Sequence, residues 1–125
     1  MGEKTLKVLV IDDQVEITRL IKLSLETTKK WNVVVANTWQ QAVDILVNQR
    51  VDVILLDYLM PEYTGEEFLQ KLRELSLIVE TPVIFLTARS SLEFEWQKTG
   101  AKGIIAKPFN PISLGNTIAA ILEGK

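Results

Sequence analysis

Four charged residues stand at the ends of short apolar runs in this chain. Asp12 and Asp13 follow the first run, Asp57 ends a second and Lys107 ends a third. If these runs are buried strands, three carboxylates and one ammonium group meet at one edge of a sheet. Two carboxylates about 4 Å apart repel by about 4 kcal/mol at an effective dielectric constant near 20, so the cluster requires a cation or shifted pKa values. The spacing therefore predicts a site for a divalent metal ion.

The chemistry that such a site supports is phosphoryl transfer. Carboxylate oxygens with open coordination positions suit Mg²⁺, which keeps several waters and is commonly held by one or two carboxylates and a phosphate. Beside this ion Asp57 can act as a nucleophile toward phosphorus, because the cation neutralises the approaching phosphoryl oxygens. Thr87 follows a fourth apolar run and can donate a hydrogen bond to the transferred group, while Lys107 can supply the counter-charge.

The apolar runs that position these residues alternate with longer segments of helical period, which is typical of βα units around a parallel sheet. Ligands bind such sheets beyond the carboxyl ends of the strands, where the strand order reverses. We therefore predict an α/β fold with a doubly wound, five-stranded parallel sheet, in which the order 2-1-3-4-5 would place the first and third strands on either side of the acidic site. The predicted strands are residues 7–11, 33–36, 51–56, 83–86 and 103–106.

Pairs of polar side chains mark the starts of the second and third predicted helices. Thr38 with Gln41, and Thr64 with Glu67, have the spacing in which a hydroxyl and a longer polar side chain satisfy the first backbone N–H groups of a helix. Apolar residues recur at helical spacing after the first strand and after Thr38, which predicts helices over residues 15–27 and 39–47.

The fourth and fifth helical segments have irregular features. In residues 91–99 the apolar side chains, among them Phe94, alternate with glutamates at a period of two, which is typical of a strand. This segment is therefore expected either to be irregular or to display an aromatic side chain. The fifth helix is predicted to begin with Asn110 as its cap and Pro111 as its first helical residue, and Gly115 within it costs up to about 1 kcal/mol relative to alanine.

Composition excludes several classes of protein. The 125 residues have the length of one domain, and 14 basic against 16 acidic side chains give no electrostatic reason to expect nucleic acid or an anionic membrane as a partner. The absence of cysteine excludes disulfides, and the absence of histidine removes the usual general base. No apolar run approaches the ~20 residues of a membrane helix. We expect a soluble, cytoplasmic protein whose partners are proteins.

The charged residues and Thr87 belong to four longer motifs, Asp12-Asp13, Leu55-Leu56-Asp57-Tyr58-Leu59-Met60-Pro61 with Gly65, Thr87-Ala88, and Lys107-Pro108-Phe109. In this order and spacing the motifs resemble the CheY-like receiver domain of two-component response regulators. The match spans nearly the whole chain, and every catalytic position of the family pattern is occupied. The resemblance implies a flavodoxin-like (βα)5 fold with the strand order 2-1-3-4-5, a phosphorelay function and Mg²⁺ as the cofactor.

The resemblance assigns four residues to the metal site. It implies that Asp13 is a direct ligand and that Asp12 acts largely through water. Asp57 and the carbonyl oxygen of Leu59 complete the implied set of metal ligands.

The resemblance also assigns the residues that handle the phosphoryl group. Asp57 is implied to be the phosphoacceptor, and Thr87 and Lys107 are implied to bind the transferred group. Ala88 is small, as in the family pattern, and leaves room for that group. The peptide bond between Lys107 and Pro108 is one that is often cis in the family.

The expected partners are implied by the same resemblance. A receiver takes its phosphoryl group from a sensor histidine kinase or a phosphotransfer protein, catalyses the transfer itself and slowly hydrolyses the product. We expect a single receiver domain over residues 1–125 without an output domain, so that the signal passes by altered docking to a downstream protein effector. A homodimer through the face of the fourth and fifth helices is a further expectation.

Two features depart from the family pattern, and both concern the response to phosphorylation. Ile104 stands where the family usually has Tyr, Phe or His, whose ring moves inward as the Thr87 hydroxyl approaches the phosphoryl group. Only 12 residues separate Thr87 from Gly100, which predicts a shortened fourth helix. These departures leave one alternative open, a receiver-fold interaction scaffold that is not phosphorylated. Intact Asp57, Thr87 and Lys107 argue against that alternative.

The residues directly after the first and third strands exclude two further classes. A flavodoxin-like redox carrier would need a phosphate-binding loop rich in glycine and hydroxyl groups after the first strand, and the chain has Gln14-Val15-Glu16 there. A phosphatase with an aspartyl nucleophile would need a second acid closely following Asp57, and residues 58–61 supply none.

Overall fold

The computed structural model describes residues 4–88 and 95–124. The elements are β1 (Lys7–Ile11), α1 (Val15–Thr28), β2 (Asn32–Ala36), α2 (Trp39–Asn48), β3 (Val53–Asp57), α3 (Gly65–Glu74), β4 (Val83–Ala88), a 3₁₀ helix (Trp96–Thr99), β5 (Gly103–Lys107) and α4 (Leu114–Leu122). The strands form one parallel sheet in the order β2-β1-β3-β4-β5, which confirms the predicted fold class and strand order. No helix in the described part of the chain is long and apolar enough to cross a membrane.

Alternate residues of β1 face two separate hydrophobic layers, because successive side chains of a strand point to opposite faces of the sheet. Val8 and Val10 pack in a layer with residues of α1 and α4, and Leu9 and Ile11 pack in a layer with residues of α2 and α3. All four side chains are fully buried. Burial on both faces explains why the strand sequences are continuous apolar runs. The same burial stabilises the sheet that carries the charged residues.

Two strand boundaries differ from the prediction by two residues, and three others differ by one. β3 begins at Val53, two residues later than predicted, and β4 continues to Ala88, so that Thr87 lies within the strand. The extension of β4 follows from pairing with β5, in which Thr87 is opposite Ala106 and Ala88 is opposite Lys107. The pairing therefore brings the phosphoryl-binding candidates on β4 and β5 side by side.

The helix starts marked by polar pairs form as predicted, with one difference. The Thr64 hydroxyl accepts a hydrogen bond from the Glu67 N–H at 3.1 Å, and the Glu67 carboxylate accepts from the Thr64 N–H at 2.9 Å. Thr38 likewise accepts from the Gln41 N–H at 3.1 Å. The Gln41 side chain, however, accepts from the N–H of Asn37 at 2.7 Å, one residue before the cap. This bond fixes the backbone between β2 and α2.

The prediction that the last helix begins at Pro111 is wrong, because α4 begins at Leu114. The Asn110 side chain does act as a local cap, and its Oδ1 accepts a hydrogen bond from the Ile112 N–H at 2.8 Å. The Ser113 N–H then donates to the Asn110 carbonyl at 3.2 Å. This bond spans three residues and closes a turn, so the α-helical ladder starts only after it.

Contacts between α1 and α4 explain the glycine within the last helix. A Cβ atom at Gly115 would lie 2.6 Å from Cγ of Lys29, so only glycine allows the aliphatic part of Lys29 to cross this helix. The Ser24 hydroxyl of α1 donates a hydrogen bond to the Pro111 carbonyl. Gly115 therefore lowers the intrinsic stability of α4 but allows the Lys29 side chain, at the end of α1, to pack closely against it.

The segment before β5 is irregular. Of the predicted helical segment 91–99, the first part, including Phe94, lies outside the described residues. The described remainder is the single 3₁₀ turn Trp96–Thr99, which ends at Gly100 with φ +86°. The Arg73 guanidinium of α3 donates to the last carbonyl of this turn at 2.6 Å and so anchors it to the rest of the domain.

Candidate functional site

Three acidic side chains converge at the carboxyl edge of the sheet. One carboxylate oxygen each from Asp12, Asp13 and Asp57 lies within 4.8 Å of the other two. The convergence follows from the pairing of β1 with β3, because parallel neighbours end at the same edge. Asp12 and Asp57 are buried, with 0% and 5% of their surface exposed, whereas Asp13 is exposed to solvent.

Lys107, the last residue of β5, bridges the two buried acids. Its Nζ lies 2.7 Å from Oδ2 of Asp12 and 3.1 Å from Oδ1 of Asp57. Burial acts to lower the pKa of Lys107, but its hydrogen bonds to Asp12 and the negative charges of both acids outweigh burial and raise the pKa above its ordinary value. The ammonium group is therefore charged at neutral pH and partly neutralises the cluster.

The carboxyl group of Asp57 is the most perturbed acid of the cluster. Burial raises its pKa from 3.8 to about 6, and the negative charge of Asp12 acts in the same direction. The charge of Lys107, its hydrogen bond and a backbone hydrogen bond from Leu59 oppose this rise. Without further positive charge Asp57 is thus only partly ionised just below neutral pH, which is the electrostatic situation that a bound cation would relieve.

Thr87 lies beside the cluster on β4. It is buried, with 1% of its surface exposed, and its hydroxyl donates to the Ala88 carbonyl at 3.3 Å. A hydrogen bond of this length to a neighbouring residue is weak, so the hydroxyl can turn to a better acceptor. The peptide bond between Lys107 and Pro108 is cis.

The loop after β3 carries the predicted backbone ligand, Leu59. Leu59 pairs with Thr64 in an isolated antiparallel bridge, which closes the loop. Gly65 lies against the start of this loop, and a Cβ atom there would come within 2.9 Å of Cα of Tyr58 and 3.0 Å of the carbonyl oxygen of Asp57. Glycine at this position therefore lets α3 begin directly beside the acidic site.

Asn37 was not predicted from the sequence to be a site residue, although its side chain contacts the acidic loop. Its Nδ2 donates to the carbonyl oxygen of Asp12 at 2.8 Å. The Asp12 N–H donates to the Ala36 carbonyl at 3.1 Å, and the Asp12 Oδ1 accepts from the Gln14 N–H at 2.9 Å. The sequence feature that could have indicated Asn37 is its position directly after β2, because that strand ends at the same edge of the sheet as the acids.

The donor set fits a hard divalent cation. Three carboxylates within 4.8 Å of one another offer the oxygen ligands that Mg²⁺ binds, and the exposed Asp13 leaves the site open to solvent and to a phosphoryl group. Asp12 already accepts bonds from Lys107 and the backbone, which is compatible with contact to a metal through water. The cluster could therefore hold a metal ion.

Comparison with known proteins identifies the family. The family model for the response regulator receiver domain matches residues 8–119. The transcriptional regulatory protein CpxR of Escherichia coli is 41% identical over 120 residues, which cover 94% of this chain and 49% of CpxR. The phosphate regulon transcriptional regulatory protein PhoB of Pseudomonas aeruginosa is 33% identical over 93% of this chain and 51% of its own. The chain thus spans about half the length of the curated relatives it matches.

Solved structures agree with the sequence relatives. The chemotaxis protein CheY4 of Vibrio cholerae superposes with a TM-score of 0.83 at 32% identity, covering 94% of this chain and 99% of that one. The receiver domain of the Francisella response regulator 1452 gives a TM-score of 0.79 at 30% identity, covering 96% and 98% of the two chains. This chain belongs to the receiver-domain family of two-component response regulators, whose family function is signalling by phosphorylation.

Proposed function

We propose that this chain is a phosphorylation switch that accepts a phosphoryl group on Asp57 with the help of Mg²⁺. The observation that carries the proposal is the buried carboxylate of Asp57, which lies 3.1 Å from the ammonium group of Lys107 and within 4.8 Å of two further acids. A carboxylate in these surroundings is positioned both to bind a cation and to attack phosphorus. Membership of the receiver-domain family supports the same assignment.

The metal ligands in this proposal are Asp13, Asp57 and the carbonyl oxygen of Leu59, with Asp12 acting through water. When bound, Mg²⁺ supplies positive charge that favours ionised Asp57 and neutralises the phosphoryl oxygens. Asp12 has a second role, because its Oδ2 accepts a hydrogen bond from Lys107 at 2.7 Å and holds that ammonium group next to Asp57.

The transfer step uses residues of three strands. An oxygen of ionised Asp57 forms a bond to phosphorus as the P–N bond of a phosphohistidine breaks, and the imidazole keeps the electron pair and gains a proton from solvent. Lys107 pairs with a phosphoryl oxygen, and the Thr87 hydroxyl turns from the Ala88 carbonyl to donate to another. Water later hydrolyses the acyl phosphate, which restores the carboxylate and releases inorganic phosphate.

The test is phosphorylation by a small phosphodonor. Wild-type protein incubated with acetyl phosphate and Mg²⁺ is expected to gain one acid-labile phosphate, measured by intact-mass spectrometry, and the Asp57→Asn variant is expected to gain none. Asp52→Asn is the matched control, because Asp52 immediately precedes the same strand at its other end and is exposed. Acyl phosphate on the Asp57→Asn variant would refute the assignment of Asp57. Wild-type protein that gains no phosphate and binds no Mg²⁺ would favour the alternative of an interaction scaffold that is not phosphorylated.

The proposed partners are a sensor histidine kinase or phosphotransfer protein as phosphodonor and a downstream protein as effector. Thr87 and Lys107 lie on adjacent strands, so any movement toward the phosphoryl group is transmitted to β4, β5 and the elements after them. We propose that this side docks either the effector or a second copy of the chain. Sedimentation of the protein with and without Mg²⁺ and beryllofluoride, a phosphoryl mimic, tests the dimer, and an unchanged sedimentation coefficient would leave only the effector.

A further inference from the structure

The side chain of Asn37 connects two parts of the acidic site. Both contacts come from its Nδ2, which donates to the Asp12 carbonyl at 2.8 Å and to the Thr18 hydroxyl at 3.1 Å. The Thr18 hydroxyl donates its own hydrogen to the Val15 carbonyl at 3.0 Å and so can only accept from Asn37. One amide group therefore ties the acidic loop to the first turn of α1.

The position of Asn37 is itself fixed. Its backbone N–H donates to the Gln41 side chain at 2.7 Å, and Gln41 belongs to the capped first turn of α2. Asn37 is only partly buried and belongs to neither hydrophobic layer. Core packing therefore does not explain why an amide side chain stands at this position. The backbone of Asn37 is thus bonded to the start of α2, and its side chain is bonded to the start of α1.

The carbonyl that Asn37 binds belongs to the peptide group between Asp12 and Asp13. Because the peptide group is planar, the direction of this carbonyl sets the rotation of the whole peptide plane. It therefore also sets the orientation in which the backbone continues into the exposed Asp13. On the other side of that peptide, the Gln14 N–H donates to the Asp12 carboxylate at 2.9 Å. Bonds on both sides thus restrain the backbone that carries the two adjacent acids.

We propose that Asn37 is a positioning residue for the metal site, which holds the Asp12–Asp13 peptide so that both carboxylates face Asp57. The inference rests on the proposed function for the identity of the metal, Mg²⁺. Residues that orient metal ligands through a hydrogen bond commonly change metal affinity by 10- to 100-fold when removed. Asn37 acts on the ligands through the backbone and is expected at the lower end of that range.

The experiment compares Asn37→Ala with Asn48→Ala. Asn48 is the matched control, because its Nδ2 also donates to a backbone carbonyl, that of Asp44 at 2.8 Å, but at the far end of α2. The Mg²⁺ dissociation constant, measured by calorimetry, is expected to rise about tenfold in Asn37→Ala and to stay within twofold of wild type in Asn48→Ala. A dissociation constant within twofold of wild type in Asn37→Ala would overturn the inference.

A second measurement needs no metal. Amide hydrogen exchange at Gln14 is expected to be several-fold faster in Asn37→Ala and unchanged in Asn48→Ala, because only the first variant releases the loop that orders this N–H. Unchanged exchange at Gln14 overturns the inference whatever the metal result. If wild type itself binds no Mg²⁺, the proposed function fails. Faster exchange in Asn37→Ala would then still support the conclusion that Asn37 restrains the loop of Asp12 and Asp13. Should Asn37→Ala not fold, Asn37→Ser is measured by the same criteria.

Discussion

The two ends of β3 carry the same residue type in opposite surroundings. Asp52, just before the strand, is exposed, and its carboxylate accepts a hydrogen bond from the Lys7 N–H at 2.7 Å. Asp57, at the end of the strand, is buried beside Asp12 and Lys107, and its pKa is raised to about 6. The aspartate at the amino edge therefore only accepts a hydrogen bond from the backbone, whereas the aspartate at the carboxyl edge lies in a cluster of charged side chains.

The neighbouring strands repeat this contrast. Thr81 precedes β4 and Lys102 precedes β5, whereas Thr87 and Lys107 lie at the carboxyl ends of the same strands. Thr81, Lys102 and Asp52 line an open depression of about 1170 Å³ at the amino edge, at the opposite end of the strands from the acids. A large depression therefore does not by itself locate the site, whereas the convergence of charged side chains at the carboxyl edge does.

The largest effect is expected when the lysines at the two ends of β5 are compared. Lys107→Met removes the cation that lies 3.1 Å from Asp57, and the initial rate of phosphorylation by acetyl phosphate should fall about 100- to 1,000-fold, the usual range for losing one group that stabilises transition-state charge. Lys102→Met removes an exposed charge from the other end and should keep the rate within twofold of wild type. Equal losses in both variants would show that net charge, rather than position, controls the rate.

The next effect concerns stability, and it compares the two ends of β3. The folded protein binds the Asp57 proton more tightly than the unfolded chain, because burial raises the pKa from 3.8 to about 6. The stability from this group is therefore fully present below pH 3.8 and is lost as the pH rises through about 6. The loss amounts to about 3 kcal/mol at neutral pH. Metal-free Asp57→Asn, which cannot ionise, should then be more stable than wild type by up to that amount.

Urea denaturation in the presence of a chelator measures this difference. At pH 7 the free energy of unfolding should be higher in Asp57→Asn than in wild type, and at pH 3.5 the two should agree. Asp52→Asn should differ from wild type by no more than about 0.5 kcal/mol at either pH, as is usual for an exposed substitution. Saturating Mg²⁺ at 100 times its dissociation constant should add about 2.7 kcal/mol to wild type. A wild type that is more stable than Asp57→Asn at pH 7 without metal would contradict the burial argument.

The sheet and its charged edge could be predicted from the sequence because their signals are local and repeated. Apolar runs of strand length, each ending in a polar side chain, determine which residues meet once the strands are parallel. The approach of Asp12, Asp13 and Asp57 follows from that geometry, whereas the strand order is implied by the resemblance to receiver domains.

The features that could not be predicted from the sequence depend on contacts between distant elements. The late start of α4 follows from a turn whose Pro111 carbonyl accepts a hydrogen bond from Ser24 of α1. The contact between Asn37 and the acidic loop joins residues 25 positions apart and has no periodic signature. Helical propensity and motif spacing describe neither kind of contact. The sequence shows only that Asn37 follows the second strand, and its hydrogen bonds are seen only in the folded structure.

A smaller effect is expected from the hydroxyls at the two ends of β4. Thr87→Val keeps the shape of a β-branched side chain and removes one hydrogen bond to the charged phosphoryl group, which should weaken the binding of beryllofluoride about tenfold. Mg²⁺ affinity should stay within twofold, because Thr87 offers no ligand to the metal. Thr81→Val tests the amino edge and should change neither quantity. Weakened Mg²⁺ binding in Thr87→Val would mean that the hydroxyl supports the acids as well as the phosphoryl group.

The smallest effect on the chemistry is expected at Ile104, which lies on the same strand as Lys107 but away from the charged edge. Ile104 pairs with Phe85 of β4 and packs, partly buried, against the layer formed with α2 and α3. Since Ile104 packs against an apolar layer, Ile104→Phe should leave the phosphorylation rate within twofold of wild type. The family usually places an aromatic ring here that follows the Thr87 hydroxyl inward, so this variant should respond to phosphorylation more strongly than wild type.

Amide exchange over residues 95–107, measured with and without beryllofluoride and Mg²⁺, would show that response. We expect the mimic to change exchange in this range more in Ile104→Phe than in wild type, while both bind the mimic equally well. Ile105→Val, in the opposite hydrophobic layer, controls for repacking of β5 and should behave as wild type. If Ile104→Phe instead slowed phosphorylation more than tenfold, the interior of β5 would contribute to the chemistry, and the contrast would no longer lie between the two edges alone.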